Sequence, residues 1–477
     1  MLETGVRQFR MAWSMVWGHP IDPRNLERLI GDALKTLKEF GAPGDDVQQL
    51  LEGPFTDPSA RREFQDRTLQ LTARRLSRVS PYYQKLFASH DINPEKLTVD
   101  DMPRVPVTLK QALQEHQQDF IANGSHPYLA TRTTGTTGQP TEIWLSKYEM
   151  ELWPALAALS GLLRNEINPQ DCLQVNISSR ATIAVQQSVT LCRLVGARIR
   201  VLGIIPPDES LDSLLCAGDT TPTLLIINPS YLAQLVQAAR KRGLGPHDFR
   251  LRRIDSGGEL LTSALARAAQ ETLGGRVTDS YGMTEILPAG GRVCNQGHLH
   301  HDLYTGFVEV IDVETGQPAA TGALGTLVIT PYYPYRECMP VFRYDTKDIV
   351  RCLPTGEALT CELSGTPATS NILGKAQTLL RAHGHMVTSR DLLEVFEALP
   401  SQPWPARFRA LALDDQIEIV LPEQVLNDTT KEAIERRFRL SGIELHVSSC
   451  GDREQDIRQL RSLRADLLET TFAARRN

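Results

Sequence analysis

The first ninety residues carry a helical pattern. Asp22-Pro23 pairs an N-cap with a first-turn proline. Leu26, Leu29, Ile30, Ala33, Leu34, Leu37 and Phe40 then follow at i, i+3, i+4 spacing, and the Gly-Ala-Pro-Gly run at 41–44 ends the helix. A second, charged helix is predicted over 60–79, so residues 1–70 read as a helical N-terminal extension. From about 150 to 330 the pattern changes. Apolar runs at 173–177, 197–204, 224–227, 253–255 and 277–279 read as short buried strands, with helical stretches such as 183–194 and 230–242 between them. Such alternation predicts mostly parallel sheets flanked by helices. Segments 306–312 and 325–330 read as hairpin strands, and the polar stretch 364–370 as a linker. Beyond it a small α+β unit is expected: helix 389–399, strands 408–413 and 416–420, helix 429–440, strand 443–448, and a helix from about 453. The expected fold is α/β, with a large N-terminal domain over 1–370 and a small mobile α+β C-terminal domain over 374–477.

Composition narrows the function classes. The 477 residues are 41% hydrophobic and 23% charged, as in an ordinary globular protein with enough material for two or more domains. A net charge of −6 gives no electrostatic reason to expect nucleic acid or an anionic membrane as partner. Eight cysteines in so long a chain do not make a disulfide scaffold, so they read as reduced thiols or metal ligands. The apolar patch at 11–17 is too short to span a membrane and lacks a small-residue cleavage site, so a cytoplasmic protein is expected.

Candidate chemistry begins at 131–142, TRTTGTTGQPTE. Gly135 and Gly138 allow tight turns that point successive backbone N–H groups at one anion, and Thr133, Thr134, Thr136 and Thr137 add hydroxyl donors. That suits a polyphosphate, although the run is not a Walker A loop, and by itself it is equally an ordinary surface turn. Three further signals follow in order. Ser256-Gly-Gly-Glu259 comes after one predicted strand, Asp279-Ser-Tyr-Gly-Met-Thr-Glu285 after the next, and Phe342-Arg-Tyr-Asp-Thr-Lys-Asp348 shortly before the polar stretch. Each alone reads as a turn or a solvated acid.

In this order they resemble the adenylate-forming ligases (acyl-CoA synthetases and adenylation domains), most closely the phenylacetate–CoA ligase subgroup. Tyr82-Tyr83-Gln-Lys-Leu-Phe87 with Val105-Pro-Val-Thr-Leu-Lys110, and Arg336-Glu-Cys-Met-Pro-Val-Phe-Arg-Tyr344, carry the subgroup likeness. The resemblance implies activation of a carboxylic acid, an aromatic one by subgroup, as acyl-AMP with ATP and Mg²⁺, then transfer to coenzyme A. It leaves open transfer to an acyl carrier protein or an amine, and a degenerate, non-catalytic nucleotide-binding member. It also implies that Thr133, Thr134, Gly135, Thr136, Thr137 and Gly138 hold the β- and γ-phosphates, Glu285 the Mg²⁺ and Thr284 the α-phosphate. Gly257, Gly258, Glu259, Tyr281 and Gly282 would form the adenine slot, and Asp348 would accept from the ribose. Trp153, Asn228, Tyr231, Ser256 and Ile286 would line the acid pocket, with Gly384 near the coenzyme A tunnel. Relatives are often homodimers, for which the helix at 24–40 offers an interface.

The chain departs from the family pattern in several places. Gln139 stands for a common Lys, Lys375 for the Arg that opens the small domain, and Gln377 and Thr378 for the acidic hinge. The family's C-terminal lysine is absent: the last lysine is Lys431, and Arg458 lies nearest the expected position, on a predicted continuous helix. Arg458 is either a solvated helix residue or a bulkier stand-in that bridges two anions less well. A structural zinc, as the resemblance implies for some relatives, would fall to Cys294, His300, Cys361 and Cys352, although Cys352 does not sit in the expected Cys-x-Cys arrangement. The alternative is an exposed histidine cluster beside unrelated small apolar cysteines.

Overall fold

The computed structural model describes residues 2–41, 57–133, 141–178, 181–354, 360–361, 363, 365–382, 384–399, 404, 406–413, 416–439 and 445–451. It divides into two compact units, 1–201 with 280–371 and 202–279 with 372–477.

Among its described residues the first unit opens with the helices Leu2–Trp17, Pro23–Phe40 and Pro58–Val79. Asp22 and Asp57 cap the latter two: each carboxylate accepts the N–H of the residue two positions on, ahead of a first-turn proline. The apolar stripe read over 26–40 turns inward at its start. Leu26, Leu29 and Ile30 are buried, and the helix packs on the chain's own Lys147–Leu163 helix, so this part of the stripe is spent on the fold. Cys172–Asn176 and Arg198–Val201 pair in parallel around the Thr182–Val195 helix, a compact strand–helix–strand unit. The remaining sheets of this unit are antiparallel. Pro127–Arg132 pairs with Glu142–Ser146. Gly306–Asp312, Leu324–Pro331 and Tyr344–Arg351 form a meander, as the hairpin reading of 306–312 and 325–330 expects.

The polar stretch expected to be a linker does more than link. Its end, Ala368–Ser370, pairs with His298–His301, which in turn pairs with Gly291–Val293. A short edge strand keeps polar side chains, so its composition resembles a linker while its backbone is used by the sheet.

The second unit contains the parallel pair Leu224–Ile227 and Arg253–Gly257 under the helices Pro229–Lys241 and Ser263–Leu273. Leu225, Ile227, Leu232, Leu235, Ile254, Leu265 and Leu273 fill its core. A further core in the same unit joins Leu392, Leu393 and Phe396 of the Ser389–Phe396 helix to Ile417, Ile419 and Leu421. Gln416–Pro422 lies between antiparallel Arg409–Leu413 and parallel Leu445–Cys450. The helix expected from 453, and Arg458 within it, lie outside the described residues. No helix among the described residues is long and apolar enough to cross a membrane.

One buried network fixes the entry to the Tyr344–Arg351 strand. The Tyr83 hydroxyl accepts the Phe342 N–H at 2.7 Å and lies 3.0 Å from the Thr108 hydroxyl, which donates to the Phe342 carbonyl at 2.7 Å. Next to it Arg343, with φ +50°, forks onto both oxygens of Glu309. Removing the phenol leaves the Phe342 N–H without its partner. Tyr83→Phe is therefore expected to destabilise the fold by about 1–3 kcal/mol, read as a lower midpoint in denaturant with an unchanged slope.

Candidate functional site

The threonine-rich loop springs from the Pro127–Arg132 and Glu142–Ser146 hairpin. Thr134, Gly135, Thr136, Thr137 and Gly138 lie outside the described residues, but the two ends of the loop are fixed. Thr133 N–H donates to the Thr141 carbonyl at 2.9 Å, and the Thr141 N–H returns a bond to the Thr133 hydroxyl at 3.2 Å. That hydroxyl also accepts from the Lys110 ammonium at 3.3 Å. Lys110 in turn lies 3.8 Å from Glu285 Oε1. In the sequence Lys110 stands out only as the last residue of the Val105–Lys110 signature. Its position after Val-Thr-Leu, opening the Lys110–Glu115 helix, was the available signal.

Glu285 is 2% exposed, and its Oε1 has no hydrogen-bond donor among the described residues. A buried carboxylate with an open oxygen and one ammonium nearby is a cation-binding group in waiting. It sits with Thr284 in the turn that follows the Arg276–Tyr281 strand. Tyr281 donates its phenol to Asp348 Oδ2 at 2.8 Å, so these two members of the expected nucleotide site do meet. Burial, with Asp348 next, pushes the Tyr281 phenol well up. Burial again, with Glu285, Asp345 and Asp348 around it, pushes the Tyr344 phenol up. The cluster is thus rich in carboxylates at low solvent access, where added cationic charge is favoured. Exposed Gly282 follows Tyr281, and Ile286 is fully buried. Trp153 is 3% exposed, its indole N–H spent on the Tyr335 carbonyl at 2.8 Å.

In the second unit, Gly257 and Gly258 end the Arg253–Gly257 strand. Gly258 takes φ +81°, and a Cβ there would sit 3.1 Å from Asn228 Nδ2, whose amide donates to the Gly257 carbonyl at 2.8 Å. Glu259 accepts from both the N–H and the hydroxyl of Ser230, in the first turn of the Pro229–Lys241 helix. Carboxylate and helix terminus attract there, so this acid is held by its own unit. Tyr231 is fully buried in the helix-layer core, its hydroxyl on the Ile205 carbonyl at 2.7 Å and its pKa pushed up by burial to about 12. Ser256 is likewise buried. Lys375 accepts on its carbonyl from the Thr378 hydroxyl. Gly384 forms the turn of the 380–382 and 385–387 hairpin at φ +74°.

The cysteine and histidine candidates resolve into one cluster with a change of membership. Cys294, His298, His300 and Cys361 bring one ligand atom each to within 4.8 Å of one another. His298 takes the place expected for Cys352, which bridges to Thr369 instead. The reason is register: His298 and His300 are i and i+2 on one strand and share a face, while His301 points the other way onto Thr369. Cys361 Sγ lies 3.2 Å from His300 Nε2, and the far nitrogen of His300 meets the Thr366 hydroxyl at 3.0 Å, an orienting bond typical of ligand histidines. His298 Nδ1 is buried without a partner among the described residues, and the His298 N–H donates to Cys294 Sγ at 3.3 Å. Two thiols and two imidazoles in an apolar setting with Leu363 fit tetrahedral zinc, whose ligand atoms stand roughly 3.3–3.8 Å apart.

The model of the AMP-binding enzyme family matches residues 68–333, more than half of the chain. The phenylacetate–coenzyme A ligase of Thermus thermophilus is 26% identical over 354 residues, 70% of this chain and 75% of that protein. That of Pseudomonas putida is 26% identical over 319 residues, 65% and 71% of the two chains. Among solved structures, 2-hydroxyisobutyryl-CoA ligase in its postadenylation state with 2-HIB-AMP shares the fold. Its TM-score is 0.68 at 18% identity, covering 85% of this chain and 89% of that one. An ATP-bound RpMatB-BxBclM chimera follows at a TM-score of 0.52 and 17% identity, covering 72% and 67%. The chain belongs to the AMP-binding enzyme family: it is an adenylate-forming ligase similar to phenylacetate–coenzyme A ligases.

Proposed function

We propose that the chain is an ATP-dependent acid–thiol ligase that activates a carboxylic acid, with aromatic acids the leading class, and passes the acyl group to coenzyme A. In the first half-reaction a carboxylate oxygen bonds to the α-phosphorus of ATP, and the bond to the bridging oxygen breaks, pyrophosphate leaving with the electron pair. In the second the thiolate sulfur of coenzyme A attacks the acyl carbon and AMP leaves. The observation that carries this reading is the Lys110 ammonium set between the anchor of the threonine loop, Thr133, and the buried carboxylate Glu285, in a chain of this family.

Both reactants of the first step are anions, so the site must hold them together against repulsion. In this reading Thr133, Thr134, Gly135, Thr136, Thr137 and Gly138 grip the β- and γ-phosphates, and Lys110 adds the charge that Gln139 does not supply. Glu285 and phosphate oxygens would bind Mg²⁺, which would screen the triphosphate; the open Oε1 of Glu285 supports that assignment. Thr284 reaches the α-phosphate. Asp348 accepts from the ribose, and its bond to Tyr281 sets the ring edge beside the adenine. By the family resemblance Gly257, Gly258 and Glu259 would contact the adenine, and Trp153, Asn228, Ser256 and Ile286 the acid. Tyr231 acts behind them as packing. Lys375, Gly384 and Arg458 belong to the mobile domain's share of the two half-reactions.

We infer in addition a structural zinc on Cys294, His298, His300 and Cys361. It would tie the His298–His301 strand to Cys361.

Exchange kinetics and metal analysis test these assignments. ATP–pyrophosphate exchange across a panel of acids should show acid-dependent turnover. Lys110→Met should raise KM for ATP roughly 10- to 100-fold while leaving KM for the acid within about twofold, since a charge-assisted bond is lost on the nucleotide side alone. An unchanged KM for ATP removes Lys110 from the phosphate site. For the metal, protein purified without an affinity tag should contain about one zinc per chain. Cys361→Ser should lose it and melt lower, whereas Cys352→Ser should keep both metal and stability.

A further inference from the structure

Arg336 is fully buried, 1% exposed, and has more hydrogen-bonding capacity than the fold uses. Its Nε donates to the Met339 carbonyl at 3.1 Å and stands 3.6 Å from Glu149 Oε1. The guanidinium lies over the Trp153 ring, 5.5 Å from its centroid. Nη1 and Nη2 are buried and have no acceptor among the described residues. Those two nitrogens carry four N–H donors of a permanent cation. Leaving such donors unmet out of reach of water is costly, and a fold that retains them has a reason beyond packing.

Glu149 does not supply the missing acceptor. Its Oε2 takes the Ser146 N–H at 2.7 Å, closing the N-terminal turn of the Lys147–Leu163 helix, and its Oε1 takes the N–H groups of Glu337 at 2.9 Å and Cys338 at 3.3 Å. It meets Arg336 on the Nε edge only. Burial pulls the Arg336 guanidinium pKa down, and the carboxylates of Glu149 and Glu285 act against it. Glu285 is already matched with Lys110 and is the proposed Mg²⁺ ligand.

We propose that the Nη edge of Arg336 receives the carboxylate of the acid substrate. Two parallel N–H groups match the two oxygens of a carboxylate, and the Trp153 face beside them gives the acid's carbon skeleton an apolar wall. The expected substrate class is therefore a free carboxylic acid with an apolar or aromatic body. Amides and esters of the same body are excluded because they leave the guanidinium charge unmet. This assignment rests on the ligase reading above.

The test separates the carboxylate role from simple structural pairing with Glu149. The full chain is assayed by pyrophosphate exchange with a panel of aromatic and aliphatic acids, and thermal shift is recorded with the same acids and their primary amides. Arg336→Met alone strands Glu149 and is expected to melt lower. The double variant Glu149→Gln, Arg336→Met removes both charges and keeps a capping side chain at position 149. It is expected to regain most of the wild-type melting temperature. It should still show KM for the acid raised roughly 10- to 100-fold, with KM for ATP within about twofold and no stabilisation by acids. Arg336→Lys should recover part of the acid affinity. A double variant that binds acids like the wild type overturns the proposal, as does a loss confined to KM for ATP, which would assign Arg336 to phosphoryl oxygens. Wild-type protein that acids stabilise more than amides, but that shows no exchange, would count against the ligase reading and leave the Arg336 site standing. Wild-type protein with exchange but no Arg336 dependence would do the reverse.

Discussion

The strand Tyr344–Arg351 carries Asp348 and Tyr344 into the candidate site, and its placement depends on a peptide unit with no freedom left. Both the N–H and the carbonyl of Phe342 are bound by side chains from the N-terminal part of the chain, Tyr83 and Thr108. The next residue is held in a left-handed conformation by a forked contact with Glu309. A backbone caught from both sides cannot slide in register, so the carboxylates downstream point where the fold puts them. The signatures around Tyr83 and Val105–Lys110, far from the nucleotide motifs in sequence, serve that constraint.

Charge around Glu285 follows from the same logic. A carboxylate buried to this degree is tolerated when a cation stands by, and Lys110 does so without saturating it. Among the described residues these charges are under-satisfied, with an open oxygen on Glu285 and open donors on Arg336. A polar network in that state is costly as structure and suited to receiving a charged ligand pair. The second unit shows the opposite economy. Glu259 and Tyr231 both have their polar groups met by Ser230 and Ile205, which gives them structural duties whatever contacts they make with ligand.

Much of the chain was legible in its sequence because the deciding forces are local. The Leu224–Ile227 strand and the Gly306–Asp312 strand stand where the apolar runs end, and Asp22-Pro23 starts its helix by a bond two residues long. The order of the four motifs was enough to identify the family, because each motif is a short backbone shape with its own side chains. What the sequence left undecided was which distant side chains meet. His298, and not Cys352, joins Cys294, His300 and Cys361 because strand alternation and pairing set which face it shares with His300, and Cys361 reaches that face from another segment. The polar end of the 364–370 stretch became a strand because a neighbour's backbone needed a partner. Lys110 against Glu285, and Arg336 between Glu149 and Trp153, arise where separate elements pack, and no periodicity in the chain records that. The sequence by itself determined the elements, the family and the chemistry on offer. The tertiary structure decided which charges are paired and which are left open, because burial and pairing depend on contacts between residues far apart in the chain.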